Sequence, residues 1–153
     1  LVVFTPKSLL RHPKCVSTIE DLATGGFQEV IEDSTINKKK ARRVVFTSGK
    51  LYYDLLAARE ERENDDVALV RVEQLYPFPD KQIDKVLKTY GNSVEVRWAQ
   101  EEPENMGAWN FITRKWTAGE IKVIARHESG SPASGSMKRF QQRQQLIIDT
   151  VFN

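Results

Sequence analysis

A single cysteine, Cys15, and two histidines, His12 and His127, are all the chain offers in soft metal ligands. One thiol cannot close an internal disulfide, and so small a set cannot build a structural zinc site. Cys15 therefore reads as a thiol in a reducing compartment. No apolar run approaches the ~20 residues needed to cross a bilayer, and no charged-then-apolar leader with a small-residue cleavage site is visible. An excess of one charge is also missing, since 23 Lys and Arg against 21 Asp and Glu leave only +2. That balance gives no electrostatic reason to expect nucleic acid or an anionic membrane as partner. A soluble, cytoplasmic protein is the expectation.

What is present is enough core for one domain: 153 residues, 40% of them hydrophobic. The first residue is Leu1, opening the strand-like stretch Leu1-Val2-Val3-Phe4. This reads as a piece of a longer polypeptide whose first strand needs a neighbour from the missing part. Short β-branched runs recur at Val44-Val45-Phe46, at 67–72, at 94–98 and at 121–124, each too short for a helix. Between them, helical spacing links Leu51, Leu55 and Ala58, then Ile83, Val86, Leu87 and Tyr90, then Ala108, Phe111, Ile112 and Trp116. A last helix carries Met137, Phe140, Ile147, Ile148 and Val151 on one stripe. Strand and helix in alternation predict an α/β domain with a largely parallel sheet covered on both faces. A fifth strand at 28–32 alternates more weakly and belongs at the sheet edge. Residues 1–27 read as a lead-in with a short helix, and 28–153 as the α/β core. The polar run Asp33 to Arg43 reads as a solvated loop, and Gln141, Gln142, Gln144 and Gln145 as the bland side of the last helix.

Several chemistries lack their motifs. There is no GxGxxG, no GxxxxGK[ST] and no GxSxG. His12 and His127 stand alone, which suits capping or surface roles better than catalysis, and a small hydrolase built on either lacks a nucleophile. What remains are strand-end loops, where an open parallel sheet gathers ligands. Thr47-Ser48-Gly49-Lys50 follows a strand: Ser48 can cap the next helix, Gly49 lets a ligand approach the backbone and Lys50 adds charge. An ordinary capped helix start explains the same residues. Gln100 to Gly107 follows another strand, and its carboxylates suit a helix N-terminus without further function. Ser134-Gly135-Ser136 opens the last helix in the same plain way. Trp109 and Trp116, two helical turns apart, should pack one face on the sheet or on a neighbouring domain.

The stretches Pro6 to Pro13 (PKSLLRHP), Ser48 to Leu56 (SGKLYYDLL), Arg71 to Pro79 (RVEQLYPFP) and Gln100 to Trp109 (QEEPENMGAW) together closely resemble one family. It is the C-terminal domain of the 2-oxoglutarate dehydrogenase component of the 2-oxoglutarate dehydrogenase complex. Arg126, Gly130-Ser131-Pro132-Ala133, Gly135, Met137 and Lys138 extend the match, and Phe140 departs from it where the family often has histidine. The resemblance implies a transketolase C-terminal-like fold: a three-layer α/β/α sandwich on a mixed, mostly parallel five-stranded sheet with one antiparallel strand, for which 28–32 is the candidate. It implies a parent oxidoreductase of the tricarboxylic acid cycle that decarboxylates 2-oxoglutarate on thiamine diphosphate with magnesium. That enzyme passes succinyl to the lipoyl arm of dihydrolipoyl succinyltransferase, with dihydrolipoyl dehydrogenase as a further component. The family's catalytic residues lie upstream, and this chain has neither the Gly-Asp-Gly segment nor the asparagine pair that hold the cofactor. By itself it is expected to be inactive, an assembly and regulatory domain in a homodimer. The resemblance also implies an acetyl-CoA or AMP effector, for whose phosphate Lys7, Arg11, Ser48, Gly49 and Lys50 are the candidates. The alternative from another class is a stand-alone flavodoxin-like nucleotide-binding module.

Overall fold

The computed structural model describes residues 1–91 and 93–153. Its five-stranded sheet has the order β1-β3-β2-β4-β5, formed by β1 (Val30–Ile31), β2 (Arg43–Thr47), β3 (Val67–Val72), β4 (Glu95–Pro103) and β5 (Lys122–Arg126). All neighbours are parallel except β1, which pairs antiparallel with β3 at the edge. The weakly alternating segment is thus the reversed edge strand, shortened to two residues. The helices are α1 (Ile19–Ala23), α2 (Leu51–Glu61), α3 (Asp80–Leu87), α4 (Trp109–Lys115) and α5 (Met137–Phe152).

Strand alternation divides the core into two. Val45, Leu69, Ala99 and Ile124 face Leu51, Leu55, Ile147 and Val151 of α2 and α5. Val44, Phe46, Ala68, Val70 and Trp98 face Ile83 and Val86 of α3 and Ile112 of α4. This is the expected three-layer α/β/α sandwich. Each face removes fully enclosed side chains from water, worth about 1.5 to 3 kcal/mol apiece. Trp109 and Trp116 pack, half-buried, on the second face, and Trp116, just beyond the end of α4, meets the Phe46 ring edge-on at 5.3 Å.

Three local expectations are corrected. Leu1 to Phe4 form no strand and stand exposed, and no strand among the described residues pairs with them. None of residues 1–27 is buried. This lead-in holds one 3-10 turn (Lys7–Leu9) and α1, closed by a reciprocal Thr18–Asp21 cap, and it touches the core where His12 lies 4.9 Å from the Tyr53 ring and Lys14 pairs with Glu60.

The polar run from Asp33 to Arg43 is not simply solvated. Asp33 is buried, pairs with Arg59 of α2, and accepts hydrogen bonds from the backbone N–H of Leu69 (2.9 Å) and from Thr35 (2.7 Å from its hydroxyl). Burial alone would raise its pKa, but these donors outweigh it and hold the carboxyl below its ordinary range. At the other end of the run, Arg43 donates to Glu95 (2.5 Å) and to the carbonyls of Thr150 (2.9 Å) and Val151 (2.5 Å), while Arg42 donates to that of Phe152 (2.7 Å). The two guanidiniums satisfy the last carbonyls of α5, which has no basic residue of its own in its final turn.

Finally, Ser48 caps nothing. Lys50 occupies the N-cap position of α2 in helical backbone, and its side chain makes no capping hydrogen bond to the N–H groups of the first turn.

Candidate functional site

The chain leaves β2 for β3 on one side, and α3 then carries it back to β4 on the other side of β2. Beyond the carboxyl ends of β2 and β4 the two directions part, and such a switch point leaves a crevice. A cleft of about 710 Å³ lies there. Ser48, Gly49 and Lys50 form one wall. The end of β4 and the start of α4 form the other with Trp98, Gln100, Glu101, Glu102, Gly107, Ala108 and Phe111, and Leu75, Tyr76 and Pro6 close the rim.

Gln100, 5% exposed, is the hub of the second wall. Its Oε1 accepts from Trp98 Nε1 and from the backbone N–H of Trp109, each at 3.0 Å. Its Nε2 donates to the carbonyls of Pro103 (3.1 Å) and Met106 (2.7 Å). One side-chain amide thus does for the loop what a neighbouring strand would do. Gly107 turns through φ +67°, and a Cβ there would meet Glu102 Cβ and the Gln100 amide nitrogen at 3.0 Å, so glycine is required twice over. Asn105 ties the loop to the segment after β5, donating to the Ser129 carbonyl and accepting from the Ser129 N–H, both at 3.1 Å. The QEEPENMGAW stretch is therefore a braced turn that holds the cleft open.

Lys50 is the cation of the site, and it is already engaged. Its ammonium lies 2.6 Å from Glu101 and 3.2 Å from Asp54, and 5.7 Å over the Phe140 ring. Gln144 donates to both of the same carboxylates, at 2.9 Å to Asp54 and 3.0 Å to Glu101. Burial works to lower the Lys50 pKa, but bonding and attraction from Glu101 and Asp54 outweigh it, and the net shift is upward. Behind this pair a smaller hollow of about 250 Å³ is lined by Arg126, Ser134, Phe140 and Arg143. Arg126 is held by the Glu101 carbonyl at 2.5 Å and by the Pro132 carbonyl.

Of the expected phosphate ligands, the fold brings Ser48, Gly49 and Lys50 together at the cleft. Lys7 and Arg11 sit exposed on the lead-in, line no part of the cleft and have no ion pair among the described residues. Gly49, at φ +69° with nothing within 4 Å of an added Cβ, leaves the backbone open to a ligand. The residues that sequence reasoning undervalued are Glu101 and Gln144, whose partners lie far away in sequence, and Gln100, whose partners between Trp98 and Trp109 are reached only because the loop turns back on it. No group of three His, Cys, Asp or Glu side chains able to hold a metal occurs among the described residues. With Glu101 spent on Lys50, the donors left in the cleft do not fit a magnesium diphosphate.

Residues 16–152 match a family model described as 2-oxoglutarate dehydrogenase C-terminal. The chain belongs to that family. It is 44% identical over 99% of its length to the 2-oxoglutarate dehydrogenase E1 component of Cupriavidus necator and 43% identical, over the same share, to that of Haemophilus influenzae. It covers 17% of each of those relatives. A multifunctional 2-oxoglutarate metabolism enzyme of Mycolicibacterium vanbaalenii is 41% identical over 99% of the chain, which covers 13% of it. Among solved structures, a transketolase from Pichia stipitis in complex with sedoheptulose 7-phosphate superposes with a TM-score of 0.50 at 12% identity, covering 80% of this chain and 17% of that one. The last likeness concerns the fold alone. As a 2-oxoglutarate dehydrogenase C-terminal domain, the chain uses the QEEPENMGAW turn and the SGKLYYDLL helix start as the two walls of one cleft.

Proposed function

We propose that the chain is the C-terminal assembly and regulatory domain of a 2-oxoglutarate dehydrogenase. Its parent would oxidatively decarboxylate 2-oxoglutarate on thiamine diphosphate with magnesium and transfer succinyl to a lipoyl group. The observation that carries this reading is identity above 40% over 99% of the chain to E1 components of two bacteria, of which it spans only 17%. In this reading the chemistry lies in the remainder of the polypeptide, which works in the cytoplasm as a homodimer. The succinyltransferase and dihydrolipoyl dehydrogenase components are its partners. No helix among the described residues is long and apolar enough to cross a membrane.

The test compares the full-length protein with one lacking these 153 residues. Loss of both dimerisation and 2-oxoglutarate turnover on deletion is expected. A deleted enzyme that stays fully active and dimeric would show the assembly role to be wrong.

An effector role takes second place. What supports it is Ser48, Gly49 and Lys50 at the start of an 11-residue helix. A phosphate of acetyl-CoA or AMP there must displace Glu101 from Lys50, and Lys7 and Arg11 must be drawn in from the lead-in. If so, Lys50→Ala and Arg11→Ala in the full-length enzyme each weaken effector binding by roughly ten- to a hundred-fold. Unchanged affinity in both variants and in the double variant would leave these residues a packing role only.

A further inference from the structure

With Lys50 already paired, the cleft presents a free carboxylate rather than a free cation. Among the described residues Lys50 is the one cation lining the cleft, bound by Glu101 and Asp54, whereas the Glu102 carboxylate on the same wall is exposed and has no side-chain partner among them. Next to Glu102 the wall is apolar, built from Trp98, Ala108 and Phe111. A group that fits must bring an apolar body for that wall and a positive charge for Glu102.

The polypeptide itself passes the mouth of the cleft. Pro6 lines it, and the residues just before, Leu1 to Phe4, run apolar and 72% to 118% exposed. Tyr76, on the same rim, is 80% exposed. Exposed apolar residues continuous with a cavity mouth mark a contact surface. The domain spans only 17% of its E1 relatives, so most of such a polypeptide lies outside it.

We propose that the cleft docks a segment of the same polypeptide lying before Leu1, a segment that places an apolar side chain against Ala108 and Phe111 and a Lys or Arg against Glu102. This rests on the reading of the chain as one domain of a larger E1 enzyme and names the contact through which that domain is held. Glu102 gives the contact its selectivity: a carboxylate at the edge of an apolar wall attracts a cationic head whose methylene stem covers the wall. Lys50 and Glu101 neutralise each other beside it, so the incoming cation meets no net repulsion from that pair.

The experiment uses the full-length enzyme with the photoreactive p-benzoylphenylalanine in place of Tyr76, an exposed rim position. Irradiation of mixed light and heavy-isotope subunits is followed by peptide mass spectrometry. The expected adduct joins Tyr76's position to a peptide of the same subunit, upstream of Leu1, that contains Lys or Arg beside apolar residues. Glu102→Lys should lower its yield roughly ten-fold, the loss of one charge-assisted contact, and Glu102→Gln should lower it less. An adduct to the other subunit, an adduct to a segment without a basic residue, no protein adduct, or a yield indifferent to Glu102→Lys would each overturn the proposal. So would loss of the adduct on adding inorganic phosphate, which would assign the cleft to an anion. Turnover of 2-oxoglutarate by the same preparation is read alongside. Turnover without the adduct defeats the docking segment alone, and the adduct without turnover defeats the enzymatic reading alone.

Discussion

Gly107 and Gln100 show at residue scale how the cleft is kept open. Alanine at 107 must occupy a left-handed backbone conformation at φ +67° and push a methyl to 3.0 Å from Glu102 Cβ. Both costs fall on one residue, so Gly107→Ala should destabilise the domain by about 1 to 3 kcal/mol, read as a lower midpoint of denaturant unfolding. Gln100→Ala strips partners from Trp98 Nε1, the Trp109 N–H and two carbonyls at once. A loss of about 2 to 4 kcal/mol is expected, because buried polar groups are left unmade rather than exchanged. If Gln100→Ala melted like the parent, the loop would be braced elsewhere. Neither residue's role was visible in the sequence: a glutamine after a strand looks like surface, and its meaning depends on a loop that turns back on it.

Between elements, the buried Asp33–Arg59 pair joins the edge of the sheet to α2. Removing one partner of such a pair strands the other charge, so Arg59→Ala should cost about 3 to 5 kcal/mol, while a methionine that fills the space together with Asp33→Leu should cost far less. The pair also makes an acid prediction. Asp33 has a folded pKa below its unfolded one, so its contribution is fully present above the unfolded value and is lost as pH falls through the lowered folded value. Unfolding midpoints measured from about pH 5 downward should fall less steeply in Asp33→Asn than in the parent, since the unfolded pKa of aspartate is near 3.9. Equal slopes would mean that the carboxyl titrates alike in both states. The alternation of strands and helices was legible because each element carries its own periodicity. The run from Asp33 to Arg43 was not, because its polar residues have partners in α2, β3, β4 and α5 that local pattern cannot reveal. For the same reason β4 was expected to stop at Trp98. Its polar continuation to Pro103 is held by pairing with β5, Pro103 opposite Arg126, across a shift in register.

For the molecule as a whole, four long motifs pointed to the family and the fold, yet they mark structural turns and walls more than chemistry, so fold and family were readable where a ligand was not. The division into a lead-in at 1–27 and a core at 28–153 remains to be tested by removal. None of residues 1–27 is buried, and β1 starts only at Val30. Cutting before residue 28 removes the His12–Tyr53 ring contact, the surface pair of Lys14 with Glu60 and the Pro6 rim of the cleft, but no core side chain. Exposed ion pairs are worth under about 1 kcal/mol, which for a domain this size moves the melting temperature by roughly 2 to 4 °C. Calorimetric melting of 28–153 within that margin of 1–153 is the expected result. A second readout follows from Tyr53, whose phenol is pushed up to about 12, first by burial and then by its contact with Cys15. Without the lead-in that ring gains solvent and loses Cys15, so phenolate absorbance should appear at lower pH in 28–153. A melting temperature lowered by far more than this margin would make the lead-in part of the folded core. An unshifted Tyr53 would show that α2 and β3 enclose the ring by themselves.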